Sequence, residues 1–311
     1  MLYFRSRLSL GSYNSGYEVT AFGFRPNSRY AQTPHIRETL DDIAFMRNGK
    51  MIEQYVSADE YPTYFSKLNN LRRRIASDLP IEPGMHVLDI ATGSGFFARE
   101  ITKCDSSFKI TGIDISQNDI QNARRNIEKH SLAERIEIIE MDTTNMNFPN
   151  ENFDATVNFL GLEDIHMTRG KDGVQKTFLE VNRVLKTDGY FCFVVMPPEE
   201  METEAQKIEV ALFSYICDAT WLSTEEYEEM LERAGFNLIR KRSYYTGKKL
   251  SPEQAKAEIR FACKNVPKIY GINTTPFEDV WAKFGQDIEK NGLGHYSKVV
   301  LMITQKVREV R

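Results

Sequence analysis

The chain has 311 residues, 41% of them hydrophobic, and a net charge of −4. That is enough for one large domain or two small ones with a substantial core, and it gives no reason to expect a general nucleic-acid surface. No apolar run reaches membrane-spanning length, and Cys104, Cys192, Cys217 and Cys263 are too far apart for a metal-type pair, which suits reduced thiols and a cytoplasmic location.

Residues 1–32 carry glycine, serine, asparagine and aromatics without periodicity and are expected to form an arm. Its first seventeen residues are basic and serine-rich, a weak likeness to a mitochondrial presequence. The aromatics Tyr3, Phe4, Tyr13 and Tyr17 keep no amphipathic spacing, which favours the arm. Residues 33–80 are predicted to form a helical cap. Its first helix runs from Thr33-Pro34 to about Arg47, where Asn48-Gly49 breaks it, and its second from about Ala58 to Asp78. The run Arg72-Arg73-Arg74 is expected on a solvated helix face.

Strands and helices alternate from there. Val87 to Ile90 read as a short buried strand, Ala91 to Gly95 as a tight turn, and Phe96 onward as a helix with Phe97, Ala98 and Ile101 on one side. Further strands are predicted at 108–114, 135–141, 153–159, 190–196, 236–245 and 297–306, with helices at 116–130, 172–186, 204–219 and 223–234. The pattern is that of an α/β protein with a Rossmann-like, seven-stranded, mostly parallel sheet flanked by helices. Residues 81–245 and 294–311 make the core, and 246–293, too long for a hairpin loop, make an insert between strands six and seven.

The first strand, turn and helix form a ligand-binding unit, because the glycines let a cofactor approach the backbone at a helix N-terminus. Gly93-x-Gly95-x-x-Ala98 fits the dinucleotide pattern. Asp89, four residues before Gly93, argues the other way: an acid there suits a cationic cofactor head, such as the ammonium of S-adenosylmethionine (SAM), better than a pyrophosphate. Asp114 at the end of the second strand is placed for a ribose diol, which both cofactors carry. Asp142, after the third, is placed for an adenine amino group.

Val87-Leu88-Asp89-x-Ala91-x-Gly93-x-Gly95, Gly112-Ile113-Asp114-Ile115-Ser116, Met141-Asp142-Thr143, Phe153-Asp154-Ala155-Thr156-Val157 and the stretch from Glu180 to Gly189 together resemble the class I SAM-dependent methyltransferases, near the ubiquinone and menaquinone C-methyltransferase group. The resemblance covers roughly residues 60–200 and the final strand. It implies SAM as cofactor, held by Asp89, Ala91, Thr92, Gly93, Gly95, Asp114, Ile115, Asp142, Thr143 and Asn158, and methyl transfer to a small-molecule acceptor by in-line displacement. No nucleic-acid partner, membrane span or metal is expected. Ala91 replaces the family's first glycine, which is tolerable if its φ stays negative. The segment Asn158-Phe159-Leu160-Gly161 lacks the Asn/Asp-Pro-Pro-Tyr motif of base methylation. A hydroxyl or acidic carbon needs a base, for which Glu163, Asp164 and His166 beyond the fourth strand are the candidates, with His295 as another. A protein or RNA methyltransferase, supported by Arg72–Arg74, a NAD-binding oxidoreductase, supported by the Gly93–Ala98 spacing, and a SAM-binding protein without catalysis are the alternatives. The N-terminal helices and the insert are expected to form a lid over the acceptor pocket, with Tyr244, Tyr245, Tyr270 and Trp281 as the first aromatics to test in it.

Overall fold

A computed structural model describes residues 46–47, 50–51, 53–64, 68–218 and 221–307, all within one compact unit, Asp41–Arg311. The predicted arm and most of the first predicted helix lie outside these residues.

The elements before the core are β1 (Met46–Arg47), β2 (Lys50–Met51), β3 (Gln54–Tyr55) and helix α1 (Asn69–Ala76). β1 pairs antiparallel with β2, so the end of the predicted first helix is instead strand, flanking the Asn48-Gly49 pair. The second predicted helix is shortened to α1: Ser57 and Glu60 close a turn, and Pro62 opens a 3-10 turn at Tyr61–Thr63. Proline has no N–H to extend the hydrogen-bond ladder backwards.

The core continues with β4 (His86–Ile90), α2 (Phe96–Ile101), β5 (Lys109–Asp114), α3 (Gln117–Lys129), β6 (Ile136–Glu140), β7 (Phe153–Phe159), α4 (Leu162–Val184) and β8 (Leu185–Val195). Then come α5 (Glu204–Cys217), α6 (Thr224–Arg233), β9 (Phe236–Tyr245), β10 (Lys248–Leu250), α7 (Pro252–Tyr270), α8 (Phe277–Asn291), β11 (Leu293–Gly294) and β12 (Lys298–Lys306). The main sheet has seven strands in the order β6-β5-β4-β7-β8-β12-β9. β4 to β8 run parallel, and β12 is antiparallel to both β8 and β9. The strand order reverses between β4 and β7, and in an open α/β sheet that switch point is where a crevice forms at the carboxyl edge.

Side-chain alternation makes the two faces. Val299, Leu301 and Ile303 join one core with Val87, Ile110 and Val157, under α1, α2, α3, α5, α7 and α8. Val300 and Met302 join the other with Leu88, Phe178 and Phe191, under α4 and α6. The helix predicted at 172–186 extends back to Leu162, with a break at Gly170, whose φ of 67° no L residue adopts easily. The acidic stretch after β7 is therefore a helical turn and not a loop. β8 also begins earlier than predicted, at Leu185.

The insert is β10, α7 and α8. β10 pairs parallel with β3 and antiparallel with β11, a three-stranded sheet that ties residues 54–55 to the insert. Ser251 caps α7 through a reciprocal capping box with Gln254. Pro267 lies inside α7 and cannot donate to the carbonyl of Cys263; the Thr274 hydroxyl donates to that oxygen instead, at 3.1 Å.

Candidate active site

The turn after β4 is held from below. Asp89 is 1% exposed, and its carboxylate accepts from the Thr92 hydroxyl at 2.6 Å. Burial pushes its pKa up to about 7, against the hydrogen bonds from Thr92 and the Ala98 backbone. Asn158, fully buried, donates to the carbonyl of Ile90 at 2.7 Å and accepts from the Gly161 N–H at 3.1 Å. Asp89, Thr92 and Asn158 thus brace the turn and do not line the cavity above it. An acid in the strand reads from sequence as a ligand group, but full burial makes it an internal acceptor.

Ala91 departs from the expected backbone. Its φ is 48°, left-handed, a conformation that costs a non-glycine residue on the order of 1–3 kcal/mol. The fold accepts it because the opposing residue is Gly161, where a Cβ would sit 2.7 Å from the Ala91 Cβ and from Asn158 Nδ2. The two glycines of the turn do different work. Gly93 has φ 53°, and a Cβ there would meet nothing within 4 Å, so its backbone faces open space. Gly95 caps α2 with φ 73°, and a Cβ there would point at Ala123 and Ile127 of α3, at 3.5 and 3.6 Å. The sequence pattern puts Gly95 against the ligand, whereas the structure turns it toward the core. Gly95→Val is therefore expected to lower stability by about 1–2 kcal/mol, the cost of a left-handed L residue. Urea unfolding reads this as a lower midpoint, and an unchanged midpoint would contradict it.

Above the turn lies a cavity of about 630 Å³, lined by Ala91, Gly93, Asp114, Ile115, Asp142, Thr143 and Asp164 among others. Asp114 ends β5, with Oδ2 accepting from the Gly93 N–H at 2.8 Å and Oδ1 from the Ser116 N–H at 2.9 Å. Burial raises its pKa against those hydrogen bonds. Ile115 is 58% exposed on the rim. Asp142 Oδ1 accepts from Thr144, and its Oδ2 pairs with Arg169 at 2.6 Å. Thr143 shares a hydrogen bond with Thr177. Sequence reasoning missed Asp119, Arg169 and Ile269 on the cavity wall. Arg169 lies 27 residues from Asp142, so only the tertiary fold joins them.

The three base candidates separate. Asp164 lines the cavity together with Tyr270 of α7, whose hydroxyl is near enough to favour the carboxylate form. Burial raises its pKa to about 7, and nearby Asp114 and Asp119 add to the rise, while the Tyr270 hydrogen bond opposes it. Glu163 turns away and accepts from the Met196 N–H at 3.1 Å, with burial raising its pKa to about 8. His166 is half-buried outside the cavity lining, near Lys171 and Glu226, its pKa lowered first by burial and then by Lys171. His295 is buried between the rings of Tyr64 and Tyr296, at 5.0 and 4.9 Å, and burial lowers its pKa to about 4. It is a packed core histidine outside the lining.

The insert reaches the cavity through Ile269 and Tyr270, the last residues of α7. The other aromatics expected there lie elsewhere. Tyr244 is buried with its hydroxyl on Asp78, Tyr245 donates to Glu202, and Trp281 stacks on Phe277 with Lys256 over its ring. The basic run is a solvated face only at Arg73, whose side chain is 54% exposed. Arg72 is 2% exposed between the rings of Phe159 and Phe96, at 4.9 and 5.2 Å, while Arg73 pairs with the buried Glu100 and Arg74 donates to the Tyr245 carbonyl. Arg72 and Arg74 thus serve as packing and cation–π groups.

A glycine turn under an open backbone, acids at or just after two neighbouring strand ends and a cavity at the sheet's switch point make up a ligand site of the kind that open α/β sheets carry at their carboxyl edge. Residues 81–235 match the family model described as a methyltransferase domain, and the chain belongs to the class I SAM-dependent methyltransferases. It is 32% identical over 117 residues to a sterol 24-C-methyltransferase of Gibberella zeae, covering 38% of this chain and 29% of that protein. It is 25% identical over 174 residues to a demethylmenaquinone methyltransferase of Symbiobacterium thermophilum, covering 54% of this chain and 62% of that one. Both matches span less than two thirds of those relatives' length. Among solved structures, the cyclase SpnF superposes with a TM-score of 0.54 at 19% identity, over 88% of this chain and 94% of that one, a likeness of fold. Among the described residues, no helix is long and apolar enough to cross a membrane.

The residues present fit SAM. The open backbone at Gly93 admits a ligand without a side-chain clash, and Asp114 presents a preset carboxylate to a diol. The exposed Ile115 offers an apolar edge to a flat base.

Proposed function

We propose that this protein transfers a methyl group from SAM to a small-molecule acceptor that enters beside Asp164 and under the end of α7. The observation that carries the reading is the shared wall: one cavity is bounded by the turn at Gly93, by Asp114, by Asp164 and by Tyr270. SAM, when bound, supplies a methyl group on a positively charged sulfur, activated for displacement. The chain's own residues do the rest. Asp114 and Gly93 hold the ribose side, with Ile115 and Met141 at the base. Asp142 serves here through its pair with Arg169, so an adenine amino group shares that carboxylate. Asp164 takes a proton from the acceptor: below about pH 7 it holds its proton, and above that it is a base. Tyr270, on the same wall, offers its hydroxyl to that carboxylate and covers the cavity against water.

Two observations favour a small acceptor over a polymer. Sterol and demethylmenaquinone methyltransferases recur among the sequence relatives, beside a ribosomal RNA methyltransferase of Nostoc punctiforme at 28% identity over 109 residues. Of the arginine run that supported a protein or RNA substrate, Arg72 is taken up in packing and Arg74 in an internal hydrogen bond, which leaves Arg73 as its exposed member. The test is thermal stabilisation by SAM and NAD separately. At 100 times its Kd, SAM is expected to raise the melting temperature by roughly 5–10 °C and NAD to leave it unchanged. Stabilisation by NAD alone would overturn the reading.

A further inference from the structure

The outer face of α7 has no function in the reading above. Its inner face, Ala255, Ile259 and Ala262, is buried, which fixes which residues point out. In the second half of the helix, steps of four place Arg260, Lys264 and Lys268 in one row, all exposed. The adjoining row is Phe261, Asn265 and Ile269, with Phe261 60% and Ile269 51% exposed. No Asp or Glu occurs between Glu258 and Glu278, in a chain whose net charge is −4. Single exposed apolar residues are ordinary. A basic row beside an apolar row on one fixed helix is the pattern of a helix lying in a bilayer interface. The acids that face α7 from packed elements are Glu278 of α8, near Cys263, and Asp164, Asp119 and Asp114 of the cavity wall, behind Tyr270; Glu258 of α7 itself turns inward to the Tyr61 hydroxyl. Arg260 lies over the Phe277 ring at 4.4 Å, which leaves Lys264 and Lys268 as the principal outward cations of the row.

We propose that α7 docks this protein on the surface of an anionic lipid bilayer, with Phe261 and Ile269 entering the acyl boundary and Lys264 and Lys268 at the headgroups. Charge complementarity selects the partner, and the position of Ile269 gives docking a purpose. Ile269 and Tyr270 also line the cavity, so a docked α7 sets the cavity mouth against the bilayer. An apolar acceptor dissolved in lipid then enters without crossing water. The choice of acceptor class rests on the methyl-transfer reading, whereas the docking itself does not.

The test is flotation of the full chain with vesicles of phosphatidylcholine alone and of phosphatidylcholine with phosphatidylglycerol. The protein is expected to float with the anionic vesicles and to be released as salt rises, because screening shortens the reach of the lysines. The double substitution K264Q/K268Q should lower partitioning by roughly 30-fold, since each cation near an anionic surface contributes about fivefold. Phe261→Ser should lower it while preserving the salt dependence. All three positions are exposed, so stabilisation by SAM, measured on the same preparations, should be unchanged in the variants. A wild-type chain that stays in solution with both vesicle types overturns the proposal, as does flotation that both variants retain. A chain that binds SAM and does not float sinks docking alone; one that floats and does not bind SAM sinks the methyl-transfer reading alone.

Discussion

Asp114→Ala is expected to weaken SAM binding by at least 100-fold. The carboxylate stands at the end of β5, where the Gly93 and Ser116 N–H groups donate to it at 2.8 and 2.9 Å. A cofactor diol therefore meets an acceptor already oriented, at little further cost in entropy. Two hydrogen bonds to a charged group, each about 1.5–3 kcal/mol, correspond to roughly 100-fold in affinity at the low end. The loss of the Gly93 anchor adds to this by loosening the turn. Calorimetric titration with SAM reads the effect directly, and affinity within twofold of wild type would remove Asp114 from the site.

Asp164→Asn is expected to lower kcat by roughly 100- to 10,000-fold, the range for loss of a positioned base, and to change SAM affinity little. The sign of the pH effect follows from the site. Burial raises the Asp164 pKa from 3.8 to about 7, so the wild-type rate should climb as pH passes through 7 and the base form appears. The Asp164→Asn variant should lose that ascending limb. Tyr270→Phe removes a donor that favours the carboxylate, and should move the midpoint of the limb upward. Transfer of labelled methyl from SAM to extracted acceptor, followed against pH, measures all three. A variant with the wild-type rate and profile would show that the acceptor needs no base at this position.

The parts of this molecule that sequence periodicity reveals are those dominated by local rules. Strands such as Phe153–Phe159 announce themselves because buried apolar residues and the flanking turns agree, and Ser223 with Glu226 marks a helix start by its own side chains. The direction of side chains is less legible. Asp89 and Asp114 both sit at strand ends, yet one points under the turn and the other into the cavity, a difference set by the pleat and by the packing of α2. Gly93 and Gly95 are two residues apart with opposite surroundings, because Gly95 caps α2 against α3 while Gly93 lies at the open side of the turn. Three adjacent arginines suggest water around Arg72, but Phe96 and Phe159, far along the chain, form the slot that buries it. A negative φ is the natural expectation at Ala91, because the sequence does not show that Gly161 faces it. Tyr270 is one of four aromatics that the sequence points to, and only the course of α7 separates it from the other three.

The central claim is that one cavity, between the Gly93 turn and the end of α7, holds SAM and presents its methyl group beside Asp164 and Tyr270. A crystal structure of the full chain with the demethylated product, S-adenosylhomocysteine, is the most direct test. The account predicts the ribose on Asp114, the backbone of Gly93 against the ligand, and the sulfur facing the space bounded by Asp164 and Tyr270. A ligand bound elsewhere, or one whose sulfur faces open solvent away from α7, would contradict it.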